Sequence, residues 1–94
     1  MRHVIETNEY KRCLRRAGKS IYSWFLEKEL PAVIYALAND EPLDPKYRDH
    51  PLHGIWKGSR DCHIKPDFVL VYTYLGNEFL RLERLGTHAE IFGL

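Results

Sequence analysis

The stretch Arg60-Asp-Cys-His-Ile-Lys-Pro-Asp-Phe-Val-Leu-Val-Tyr-Thr-Tyr-Leu-Gly-Asn-Glu-Phe-Leu-Arg-Leu-Glu-Arg-Leu85 contains two reversals of the chain. In its first six residues Cys62 and Ile64 alternate with Asp61, His63 and Lys65. That is the period of a strand, and it sets the three polar side chains in a row on one face, about 7 Å between neighbours. Lys65-Pro66-Asp67 reads as a turn and Phe68–Leu75, rich in valine and tyrosine, as a central strand. Gly76-Asn77 is a hairpin signal from which residues 78–85 return.

Toward the amino terminus the period lengthens. Tyr10, Cys13, Leu14 and Ala17 fall at i, i+3, i+4 and i+7, so an apolar stripe turns inward while Lys11, Arg12, Arg15 and Arg16 face water. Asn8 is the expected cap of this helix and Gly18 its stop. Residues 3–7 alternate and suit an edge strand. A second helical region, from Ser20 to about Asn39, contains Pro31, which fits a first helical turn but breaks a continuous helix. The region therefore divides into a turn or two over residues 21–28 and a helix carrying Ile34, Leu37 and Ala38 inward. At the other end Thr87-His-Ala-Glu90 has the form of a capping box and predicts a short terminal turn starting at His88. The expected architecture is one α+β domain over residues 1–94, its amino-terminal helices packed on a small antiparallel-rich sheet.

A net charge of +1 conceals a segregated distribution. Residues 1–20 carry six Lys/Arg against two acids, residues 21–45 one against five, and residues 46–67 five against three. Two cationic segments thus remain available to a polyanion such as RNA. Cys13 and Cys62 lack metal-finger spacing, and no apolar run has membrane length. The expectation is a cytoplasmic protein with reduced thiols and Cys13 in the core.

Histidines 50, 63 and 88, with Asp61 and Asp67, cluster around the strand ends, accompanied by Lys57, Arg60, Lys65 and Arg84. Such a set matches RNA cleavage by the 2′-hydroxyl. That reaction needs a base for the hydroxyl proton, an acid for the departing 5′-oxygen and cationic donors for the phosphorane. No cofactor and no metal is required. Zinc held by His50, His53, His63, Cys62 and an aspartate is a weaker alternative, because Cys62 points to the opposite strand face from His63. Trp56 and Phe92 are candidate base-stacking residues, with core packing the simpler expectation for Trp56.

The segments Asp49-His-Pro-Leu52, Trp56-Lys-Gly58, Arg60-Asp-Cys-His-Ile-Lys-Pro-Asp67, Leu70-Val-Tyr72 and Arg84-Leu-Gly-Thr-His88 with Ile91-Phe92 resemble the YafQ branch of the RelE-like toxins of bacterial type II toxin–antitoxin systems. The resemblance covers residues 42–92. It implies a RelE-like fold and a ribosome-dependent endoribonuclease, or mRNA interferase, that cuts mRNA and inhibits translation. It also implies restraint by a cognate antitoxin protein, through which alone operator DNA is contacted. Carried over residue by residue, the family's functional positions are His50, His63, Asp67, His88 and Phe92, with Asp61 and Arg84 also matching motif positions. Phe68 stands where a relative of this branch carries Trp. A catalytically inactive RNA- or ribosome-binding module of the same fold is the rival expectation.

Overall fold

A computed structural model describes residues 1–93. Its elements are β1 (His3–Glu6), α1 (Asn8–Ala17), α2 (Ser23–Leu26), α3 (Glu29–Ala38), β2 (His50–Pro51), β3 (Arg60–Lys65), β4 (Phe68–Leu75), β5 (Phe79–Gly86) and α4 (His88–Phe92). Single 3₁₀ turns at Pro45–Tyr47 and Gly54–Trp56 flank β2. The strands form one five-stranded sheet in the order β1-β5-β4-β3-β2.

The meander β3-β4-β5 is antiparallel, as its turn chemistry requires, but β1 runs parallel to β5. The sheet is therefore mixed. A parallel partner needs a long crossover, and α1 to α3 with the following strands supply it.

Helices α1, α2 and α3 pack on one face. Tyr10, Cys13 and Ala17 of α1, Phe25 and Leu26 of α2, and Leu30, Val33, Leu37 and Ala38 of α3 close over Cys62, Ile64, Phe68, Leu70, Tyr72, Leu80, Leu82 and Leu85. Ile34, expected inside, is only half-buried at the margin of this cluster. Phe68 is buried against Phe25 at a ring separation of 5.4 Å and against Tyr22 at 4.6 Å, so it is a core residue and not a stacking platform. Cys13 and Cys62 are both buried free thiols.

Local chemistry accounts for the element boundaries. Thr7, not Asn8, caps α1: its hydroxyl accepts from the Tyr10 N–H at 3.0 Å and donates to the Leu82 carbonyl at 2.8 Å, tying the helix start to β5. The Ser20 hydroxyl bonds the Ala17 carbonyl and accepts from the Tyr22 N–H, which shapes the turn into α2. Pro31 lies in the first turn of α3, where its missing N–H costs nothing. The capping box of α4 is complete: the Thr87 hydroxyl accepts from the Glu90 N–H, and the Glu90 carboxylate accepts from the Thr87 N–H. That carboxylate also meets Arg16 Nε at 3.1 Å, which anchors α4 to α1.

Candidate active site

The face of the sheet away from α1–α3 carries His50 and His63. Residues directly opposite one another on paired strands point the same way. His50 pairs with Asp61, Asp61 with Val71, and Val71 with Arg84, which makes one row across four strands. In the next row His63 pairs with Val69 and Val69 with Gly86. Beyond Gly86 the chain turns into α4 and brings His88 alongside. The result is an open hollow of about 420 Å³ whose walls include Arg48, His50, Trp56, Asp61, His63, His88 and Phe92.

The three imidazoles form a chain. The ring centres of His50 and His63 are 5.7 Å apart and nearly parallel, and those of His63 and His88 are 5.2 Å apart. A carboxylate stands at each end. Asp61 Oδ1 lies 3.1 Å from His50 Nδ1, which also bonds the Arg48 carbonyl at 2.8 Å. Asp67 Oδ1 lies 2.7 Å from His88 Nδ1 and also accepts the His88 backbone N–H. With Nδ1 held, Nε2 is the ring atom of His88 that remains for proton transfer.

Burial sets the charge states. The Asp61 carboxyl is pushed above the usual carboxylate range by desolvation, against the opposing pull of His50, His63 and His88. Burial likewise lowers His63, with Arg48 and the other two histidines adding to the effect and Asp61 opposing it. His63 is thus biased toward the neutral ring that accepts a proton. Asp67 behaves in the reverse sense: hydrogen bonds from the His88 ring and backbone hold it below the usual range. Two buried wall atoms, Asp61 Oδ1 and His63 Nδ1, make no hydrogen bond to any described residue.

Not every residue singled out in the sequence reaches this hollow. His50, His63, Asp61, His88 and Phe92 line it, and Asp67 stands behind His88. Arg60 pairs with Tyr72, so it lies on the helix-side face, where it binds Asp49. The Asp49 carboxylate also accepts from the Tyr72 hydroxyl, and this group of three secures the entry to β2. Lys65 leaves the expected row because the β3–β4 register shifts between His63 and Lys65. Its ammonium instead meets Glu29 at 3.0 Å and lies over the Trp24 and Phe25 rings. Lys57 is exposed and outside the wall. Arg84 stacks its guanidinium on Trp56 at 5.4 Å and thereby backs that wall.

Trp56 is half-buried rather than part of the core. It meets Phe92 edge-on at 6.2 Å, and Phe92 lies 6.1 Å from the His88 ring. Sequence reasoning passed over Arg48 entirely; its only signal was a cation two residues ahead of the His50-Pro51-Leu52 motif. His53, considered from sequence only as a zinc ligand, also lines the hollow.

By fold and site, this is a small α+β domain that gathers three histidines and two aspartates beside aromatic walls. The family described as a bacterial toxin of type II toxin–antitoxin systems, YafQ, matches residues 2–93, and the chain belongs to it. The mRNA interferase toxin YafQ of Escherichia coli K12 is 54% identical over 55 residues, a match spanning 58% of this chain and 59% of that protein's length. The E. coli DinJ–YafQ complex contains a chain with a TM-score of 0.85 and 35% identity, covering 99% of this chain and all of that one. A metal-bound toxin from Helicobacter pylori superimposes with a TM-score of 0.87 at 41% identity, over 98% of this chain and all of its own.

Proposed function

We propose that this toxin is a ribosome-dependent endoribonuclease that cleaves mRNA by acid–base-assisted attack of the 2′-hydroxyl. The observation that carries the reading is the imidazole chain His50-His63-His88 capped by Asp61 and Asp67. His63, biased toward its neutral form, or His50 beside it takes the 2′-hydroxyl proton. The 2′-oxygen bonds to phosphorus as the P–O5′ bond breaks, and His88 delivers a proton to the departing 5′-oxygen. The products are a 2′,3′-cyclic phosphate and a 5′-hydroxyl. Asp67 orients His88, Arg48 supplies positive charge at the phosphorane, and Phe92 and Trp56 offer ring faces to unstacked bases.

The same reading makes the partners a cognate antitoxin, the ribosome and mRNA, with operator DNA reached only through the antitoxin. The antitoxin named with the E. coli relative is DinJ.

One observation favours a metal-assisted variant. Ligand atoms of His50, Asp61 and His63 all lie within 4.8 Å of one another. Cys62 faces the core and offers no fourth ligand, and the Arg48 charge opposes a cation there. The acid–base route therefore fits the electrostatics better.

Primer extension on a defined mRNA in a purified translation system tests both. Cuts that require ribosomes, survive chelator treatment of the protein and disappear in His88→Ala support the acid–base reading. Loss of cutting on chelation, restored by added metal, selects the metal route. Absence of cuts by folded wild-type protein selects the binding-module rival.

A further inference from the structure

The histidine hollow has a neighbour. A second hollow, of about 290 Å³, is walled by Glu29, Lys46, Tyr47, Arg48, His63 and Lys65, with Ile64 and Pro66 completing it. Arg48 and His63 belong to both walls, so the two spaces adjoin across these side chains.

Arg48 occupies that divide at a conformational cost. It follows the 3₁₀ turn Pro45–Tyr47, which Asp44 caps by accepting the Lys46 N–H at 2.9 Å, and its φ of +50° lies in the left-handed region. A non-glycine residue is strained there. The other non-glycine residue with positive φ, Asp40, is of a type that tolerates the region, and its carboxylate pairs with Arg2 at 3.0 Å. The Arg48 backbone bonds Pro45 and His50, but among the described residues no carboxylate lies within ion-pair distance of its side chain. Nearby cations are neutralised, Arg60 by Asp49 and Lys65 by Glu29. Lys46 and Arg48 are the second hollow's unpaired charges among the described residues. An exposed guanidinium with no carboxylate partner, carried on a strained backbone between two adjoining hollows, suits a backbone phosphate joining two nucleotides.

We propose that the second hollow is a subsite for the nucleotide adjoining the scissile phosphate, and that Arg48 holds the phosphate linking the two positions. This deepens, and rests on, the reading of the histidine hollow as the RNA-cleaving centre. The ligand class is single-stranded RNA of at least two nucleotides. Lys46 and the Tyr47 ring flank the added nucleotide.

The test is a binding titration of the wild-type protein with a fully 2′-O-methylated RNA trinucleotide, which lacks the attacking hydroxyl, and with the corresponding mononucleotide across a salt series. Arg48→Gly is the informative variant, because glycine accepts the local φ without strain. We expect it to melt no lower than wild type, to bind the trinucleotide about tenfold more weakly, and to reduce the salt slope by about 0.7, one single-strand phosphate contact. The loss should be smaller for the mononucleotide, which lacks the linking phosphate. Arg48→Lys should recover most of the salt slope. The proposal is overturned if Arg48→Gly matches wild type in trinucleotide affinity and salt slope, or if wild type binds the trinucleotide no better than the mononucleotide. Since the titration involves no cleavage, failure of the subsite is read separately from failure of the cleavage assay.

Discussion

Two carboxylate–imidazole pairs flank His63, and they are physical opposites. The Asp61 side chain is 3% exposed and the Asp67 side chain 62% exposed, yet each lies about one hydrogen-bond length from a histidine Nδ1. The contacts are similar in length, but only Asp67 is hydrogen-bonded to its histidine, and the surroundings drive the two carboxyls in opposite directions. At Asp61 desolvation outweighs three nearby imidazoles, and the carboxyl holds its proton to a higher pH than usual. At Asp67 little solvation is lost, two hydrogen bonds from His88 dominate, and the carboxylate persists to a lower pH. The inner pair therefore tunes the electrostatics around His63, while the outer pair fixes the orientation of the His88 ring.

The largest break in this comparison should come at the outer end. His88→Ala is expected to lower cleavage at saturating ribosome by about 10²–10⁴-fold while changing ribosome affinity little, the signature of an interaction made in the transition state. Asp67→Asn should follow with a loss of about tenfold or more and a melting temperature close to wild type, because the residue is exposed; rate and thermal melt together check this.

A subtler contrast appears in pH profiles. The Asp61 charge raises the pKa of His63 and the Arg48 charge lowers it. Asp61→Asn should therefore move the acid limb of kcat/KM to lower pH, and Arg48→Gly should move it to higher pH. Equal profiles for the two variants would remove His63 from the proton inventory. Stability has its own signs. His63, lowered from 6.5, contributes stability that is lost as pH falls below that value, since the unfolded chain then binds the proton more readily. Asp67, lowered from 3.8, contributes stability above that value that is lost as pH falls through its folded pKa. Asp61, raised from 3.8, works against stability as pH rises through its folded pKa. Asp61→Asn should accordingly flatten the stability profile above 3.8, as urea titrations at stepped pH would show.

The smallest expected effect lies outside the site. Thr7→Ala removes the cap of α1 and its bond to β5, at a cost of about 1 kcal/mol in denaturant unfolding, with cleavage per folded molecule unchanged.

What the sequence made legible was local. The β3-β4-β5 meander, the division at Pro31 and the Thr87 capping box each follow from residues within a few positions of one another. What it concealed was set at a distance. The parallel β1–β5 pairing joins segments more than seventy residues apart, and β2 has two residues, too few for any period to register. The alternation that aligned Asp61 with His63 also assigned Arg60 to the other face, a consequence that charge clustering obscured. Lys65 departs through a register shift that no residue announces. Arg48 became visible only once its left-handed backbone placed it between two hollows.

The capping box that fixes α4 also sets an order of events. His88 and Phe92 follow every other wall residue of the hollow in the chain, and α4 is positioned through Arg16 and the end of β5. During synthesis the helices and the first strands emerge before His88, the proposed acid, is in place. The core closes only with β5, whose Leu85 lies just ahead of His88, so the chain gains its fold and its proposed chemistry almost together.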